Sequence, residues 1–142
     1  MKMLLAVDGS KHSLDAVKCV IEHADWYRDK PEVELLFVHA PVPKLPGMSK
    51  VVGKNQIQRY YEDEGAAALA EAKKLLERAS ISYRASVLVG QPAEEIVRHA
   101  ERTRCDLIFV GSHGRTAAGN MLVGSVATKV LHSATLPVML VR

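Results

Sequence analysis

Five short apolar runs alternate with stretches whose apolar residues recur at helical spacing, and few folds accept that order. The runs lie at Met3–Val7, Val33–Val38, Tyr83–Val89, Asp106–Val110 and Pro137–Val141. Leu14, Val17, Ile21 and Ala24 mark a first amphipathic helix, broken by Pro31. A long helix is predicted from about Val52 to Ala79, with Ile57, Tyr61, Ala68, Ala72, Leu75 and Ala79 on its inner side. Pro92 suits the first position of a third helix, Glu94 and Glu95 suit its positive end, and Ile96, Val97 and Ala100 face inward. A fourth runs from Ser125 to His132 with Val126, Ala127, Val130 and Leu131 inward. Continuous apolar strands joined by amphipathic helices are buried on both faces. The order therefore predicts a three-layer α/β/α fold around a mostly parallel five-stranded sheet, with right-handed crossovers. Pro137, at the start of the last run, places that strand at an edge.

At 142 residues the chain is one domain's worth, expected to span 1–142. Hydrophobic residues at 48% and charged residues at 25% describe a globular chain that needs no disulfide or metal staple. The net charge of +3 is scattered, and the adjacent pair Lys73–Lys74 is flanked by Glu71 and Glu77. A nucleic-acid partner would call for a basic stripe, so none is expected. Cys19 and Cys105 fit no zinc or disulfide spacing and read as buried or half-buried thiols. The N-terminal apolar run is too short for a signal core, and no run is long enough to cross a bilayer. These readings point to the cytoplasm and to no membrane partner. His12, His23, His99 and His132 lack metal-ligand spacing and are expected on helix surfaces. Trp26 is expected to pack near the end of the first helix. Pro41, Pro43, Pro46 and Gly47 make residues 40–50 a loop, long enough for a lid or a contact surface.

Two strand ends carry distinctive chemistry. The first run ends Ala6-Val7-Asp8-Gly9-Ser10, and the fourth ends Val110-Gly111-Ser112-His113-Gly114-Arg115. If the two strands are neighbours, both loops line one crevice at the carboxyl ends of the sheet, where open α/β folds bind ligands. The second loop reads Gly111-x-x-Gly114, nine residues, then Gly124-Ser125 at a helix start. Glycines in such a loop allow close approach and positive φ, and amides there and at Ser125, Val126 and Ala127 suit an anion. The Ser125 hydroxyl can add one bond to a phosphate. Asp8 could accept bonds from ribose hydroxyls, or it could cap the first helix; taken alone, the cap is the simpler reading. His113 could act through its ring or through its backbone alone, and Arg115 could pair with phosphate or face solvent. No Lys precedes Ser125, so the loop is not a P-loop despite Gly119 and Gly124. No nucleophile–base–orienter set is visible, and no catalytic residue is assigned.

The complete G-x-x-G, nine residues, G-[ST] pattern resembles the ATP-binding signature of the universal stress protein family. The resemblance extends to Asp8, to Phe37-Val38-His39-Ala40 and to the closing Leu136–Arg142. It implies an adenine-nucleotide α-hydrolase-like (Rossmann-like) fold. It implies that Asp8, beside Ala6 and Val7, faces the ribose or adenine and that the Val38 backbone holds the base. By the same resemblance, Val110, Gly111, His113, Gly114, Arg115, Gly124, Ser125, Val126 and Ala127 surround the ribose and phosphates. It further implies ATP with Mg²⁺ and a homodimer formed partly through the last strand. The expected function is a nucleotide-dependent stress-response module. The alternatives are a nucleotide-free interaction dimer and a slow or autophosphorylating ATPase.

Overall fold

Every neighbouring strand pair in the sheet runs parallel, in the order β3-β2-β1-β4-β5. The strands are β1 (Lys2–Ala6), β2 (Glu32–His39), β3 (Tyr83–Val89), β4 (Leu107–Gly111) and β5 (Val138–Val141). The helices are α1 (Lys11–Glu22), α2 (Lys54–Arg78), α3 (Pro92–Arg102) and α4 (Ser125–Ser133). The computed structural model describes residues 1–43, 53–115 and 123–142. Residues 44–50 of the Pro-rich loop, Val52 at the expected start of the long helix, and Gly119 lie outside the described residues.

The chain winds outward from β1 through β2 to β3, then crosses back to β4 and β5. The reversal falls between β1 and β4, which pair with Ala6 opposite Val110. Alternation along the strands sorts side chains to two faces. Met3, Leu5, Val7, Leu35, Phe37 and Phe109 pack with Val17 and Val20 of α1 and Leu69, Ala72 and Leu76 of α2. Leu4, Ala6, Leu36 and Ile108 pack with Ile96, Val97 and Ala100 of α3 and Val130 of α4. The two apolar layers on one sheet give the three-layer architecture that the sequence predicts.

Departures from that prediction have local causes. The first helix stops at Glu22, well short of Pro31. The His23 ring and amide both bond the Cys19 carbonyl, and the chain tightens into one 3₁₀ turn over Ala24–Trp26. Trp26 consequently lies outside the core, 76% exposed, against the His23 ring. Leu131 points to solvent as well, since α4 turns Ala127 and Val130 inward. His99 is buried rather than on a helix surface, and the reason is Glu34, a buried carboxylate among the apolar residues of β2. The Lys2 ammonium stands 2.8 Å from Glu34 Oε1, His99 Nε2 3.5 Å from Oε2, and Arg102 donates to His99 Nδ1 at 2.9 Å. Burial pushes the Glu34 carboxyl up, but bonding and attraction to Lys2 outweigh it and hold the group below its ordinary range.

α2 lies close on the sheet at Gly65, where an added Cβ would sit 2.5 Å from a methyl of Val87 on β3. Gly65→Ala is expected to cost about 1 kcal/mol, the clash exceeding the helix-propensity gain. In a Val87→Ala background the same substitution should stabilise by about 1 kcal/mol, because only the propensity gain is left. Urea midpoints of the four-member cycle check this, and an unchanged sign would mean that α2 is not held on β3 at this point.

Candidate functional site

The carboxyl ends of β1 and β4 open into a cleft of about 500 Å³, within the range of small-molecule sites. Its first wall is the turn after β1. Gly9, at φ +79°, reverses the chain, and Ser10 caps α1 by accepting the Ser13 amide at 3.3 Å. Asp8 is therefore not the cap. Its Oδ1 accepts the Ser10 amide at 3.0 Å, and its Oδ2 accepts the Arg115 amide at 2.9 Å from across the cleft. One carboxylate thus ties the β1 turn to the β4 loop. Burial pushes the Asp8 carboxyl up, but the Ser10 and Ser13 hydroxyls beside it and the amide bonds from Ser10 and Arg115 prevail, leaving it below the usual 3.8.

The glycines of the second loop answer to contacts within the protein. A Cβ on Gly111 would lie 2.6 Å from the His12 carbonyl and 2.8 Å from the Ser13 amide, so this glycine lets β4 meet the first turn of α1. A Cβ on Gly114 would reach within 2.7 Å of Asp8 Oδ2. One on Gly124 would press at 3.3 Å on both His113 Cα and the Ser112 carbonyl, which accepts the Gly124 amide at 2.7 Å. The expected positive φ is found at Gly9 alone among the described glycines. Close approach, rather than left-handed backbone, accounts for the spacing.

The far wall is the start of α4. Gly124 is its N-cap and has no side chain to bond the first amides. Thr128 is the first residue whose amide returns to the helix, to the Gly124 carbonyl at 2.9 Å. The amides of Ser125, Val126 and Ala127 precede it and have no acceptor within the helix, at the positive end of its dipole. All three residues line the cleft.

The sequence-predicted residues converge here. Ala6, Val7 and Asp8 line the cleft from β1, Val38 from β2, and Val110 and Gly111 from β4. His113, Gly114, Arg115 and Gly124 line it from the loop. The His113 ring takes part in the packing: its Nδ1 lies 3.0 Å from the buried Ser112 hydroxyl, and its ring centroid is 5.0 Å from that of His12. Arg115 is exposed but does not stand free, for its guanidinium lies 3.4 Å from Glu64 of α2 and 5.5 Å from the Phe37 ring centroid. Sequence reasoning missed Ser13, Leu36, Phe37 and Ala40, and also Pro92 and Ile96 of α3. The Pro92 helix start was legible, but its place beside β1 depends on a strand order that no local pattern encodes. Among the described residues, no three His, Cys, Asp or Glu side chains gather to hold a metal, and no helix is long and apolar enough to cross a membrane.

Comparison with known proteins decides the relationship. The Universal stress protein family model matches residues 1–142. The chain belongs to the universal stress protein family. Universal stress protein MJ0531 of Methanocaldococcus jannaschii is 34% identical over 141 residues, 99% of this chain and 81% of the relative. The solved structure of MJ0577, from the same organism, superposes with a TM-score of 0.81 at 31% identity, covering 99% of this universal stress protein and 94% of that chain. A universal stress protein family protein from Arabidopsis thaliana, solved with AMP bound, shares the fold at 18% identity and a TM-score of 0.69, over 99% of this chain and 90% of its own.

Proposed function

We propose that this universal stress protein binds ATP in the cleft between the ends of β1 and β4 and acts as a nucleotide-dependent regulatory module in the cytoplasm, with residues 1–142 working as one domain. The observation that carries the reading is the start of α4: its first three residues, with no side-chain cap from Gly124, line the same cleft as an apolar floor and a half-buried carboxylate. The amides suit phosphate oxygens. The floor, from Ala6, Leu36, Val38 and Val110, suits a planar base. Asp8, beside the floor, is placed to meet ribose hydroxyls with the lone pairs that its two amide bonds leave over. The AMP carried by the Arabidopsis relative is in keeping with this division, though at that identity the likeness speaks for the fold.

The donor set also suits Mg²⁺ that arrives with the nucleotide. Asp8 is one carboxylate with both oxygens engaged, so the ion's ligands would come mainly from phosphate and water, the ordinary habit of Mg²⁺ in nucleotide sites. A metal held there would offset phosphate charge. Assembly through β5 belongs to the same proposal, since β5 is an edge strand with Met139 40% exposed.

Calorimetric titration with Mg-ATP, after a denatured sample is checked for retained nucleotide, tests the reading, and light scattering on the same samples gives the oligomeric state. Binding in the micromolar range is expected, on a dimer. A clean protein that takes up no ATP would make the cleft a purely structural feature and give the interaction-dimer reading the lead, and a monomer would remove the role given to β5.

A further inference from the structure

Among the described residues that line the cleft, Arg115 alone carries a permanent positive charge. Its main chain is fixed by the amide bond to Asp8 Oδ2. Its side chain is held far more lightly. One guanidinium nitrogen lies 3.4 Å from Glu64 Oε2, with the two side chains 51% and 37% exposed. The other support is the face of Phe37, itself a cleft residue, 5.5 Å from the guanidinium carbon. An exposed single-contact ion pair contributes little, whereas a phosphate offers the planar guanidinium fork two charged oxygens at once.

The acceptor on the other side is well placed to register a change. Glu64 precedes Gly65, where α2 lies close against Val87 of β3, so its backbone position is set by packing. One turn earlier, Tyr60 and Tyr61 pack around the His39 ring, and the Tyr61 hydroxyl accepts the Val42 amide at 2.9 Å. Drawing the guanidinium away leaves an uncompensated carboxylate on α2 beside this cluster. A monophosphate can be served by the α4 amides. The further charge of a triphosphate calls for a cation, and Arg115 is the one at hand.

We propose that Arg115 is a phosphate-operated latch, standing on Glu64 and Phe37 as in this structure and transferring to the distal phosphates of a bound nucleotide, so that phosphate number rather than the base sets the state of α2. The latch rests on the nucleotide reading of the cleft and adds to it a rule for which nucleotide is sensed.

The test compares Mg-ATP and AMP affinities, by calorimetry, for the parent, Arg115→Gln, Arg115→Lys and Glu64→Gln. Arg115→Gln is expected to lower the ATP-over-AMP preference about tenfold, the effect of losing one charge-assisted contact. Arg115→Lys should recover part of it, and Glu64→Gln should raise it about threefold by removing the competing acceptor. Amide exchange along residues 58–64 should respond to ATP in the parent and not in Arg115→Gln. Equal losses for both nucleotides in Arg115→Gln would reduce Arg115 to a loop-positioning residue and overturn the latch, as would a parental preference in Glu64→Gln. An exchange pattern indifferent to ATP in the parent would overturn the coupling to α2. A parent that binds neither nucleotide defeats the nucleotide reading and the latch together, whereas a parent that binds both, with parental ratios in every variant, defeats the latch alone.

Discussion

Asp8→Asn is expected to lower ATP affinity on the order of 100-fold while leaving the protein folded. The amide has nearly the carboxylate's shape, but it presents one acceptor and one donor where the native group presents two acceptors. Either the Ser10 amide or the Arg115 amide must then face an N–H, so the bond that holds the β4 loop to the β1 turn competes with the bond that shapes the turn. The ribose acceptor proposed for the cleft and the position of the β4 loop would suffer together. Stability should fall by about 2 kcal/mol at neutral pH, the scale of a hydrogen bond to a charged group. The pH dependence gives the sign independently. The folded carboxyl sits below its unfolded value of 3.8, so its contribution is fully present above that value and fades as the pH falls through the lower folded one. The difference between parent and Asp8→Asn in urea should therefore close at strongly acid pH. Parental ATP affinity in Asp8→Asn would show that the carboxylate shapes nothing the ligand feels.

Gly111→Ala should be the most destabilising methyl added at any described glycine, at about 3 kcal/mol, or about 10 °C in melting temperature. The new Cβ meets main chain and not a yielding side chain: the His12 carbonyl at 2.6 Å and the Ser13 amide at 2.8 Å. Those atoms belong to the first turn of α1, whose cap at Ser10 and bonds to Asp8 leave it little room to retreat. Thermal unfolding of the variant measures the cost directly. A loss under 0.5 kcal/mol, the scale of an ordinary surface change, would mean that α1 can lift from β4 freely.

Strand order, rather than strand existence, was the missing quantity in the sequence. The apolar runs and helical spacings announced each element because burial on two faces leaves a continuous apolar run and burial on one face leaves a stripe. Nothing local to Ala6 and Val110 says that they lie side by side, and that pairing is what makes two turns into one cleft. The same gap explains Pro92 and Ile96, cleft residues read only as a helix start and as part of that helix's apolar face. Long-range polar contacts were equally invisible. His99 looked like a surface histidine because Glu34 is sixty-five positions away in sequence, and Arg115 looked undecided because Glu64 and Phe37 reach it from other elements. Trp26 misled for a different reason: large aromatic side chains are usually buried, and this one closes a turn at the surface.

The internal work done by Gly111 and Gly114 bears on how such sequences should be sorted. A gene copy released from any need for ATP would still have to keep both glycines, since one admits the first turn of α1 and the other makes way for the Asp8 carboxylate. The first half of the motif is therefore a record of architecture inherited with the fold, and a duplicate could carry it long after losing its ligand. The second half is freer to drift: Ser125 is exposed, and Gly124 meets its neighbours only at 3.3 Å. Inventories that infer nucleotide use from the whole pattern would be sharper if they weighted that half, together with Arg115, and treated the opening glycines as scaffolding.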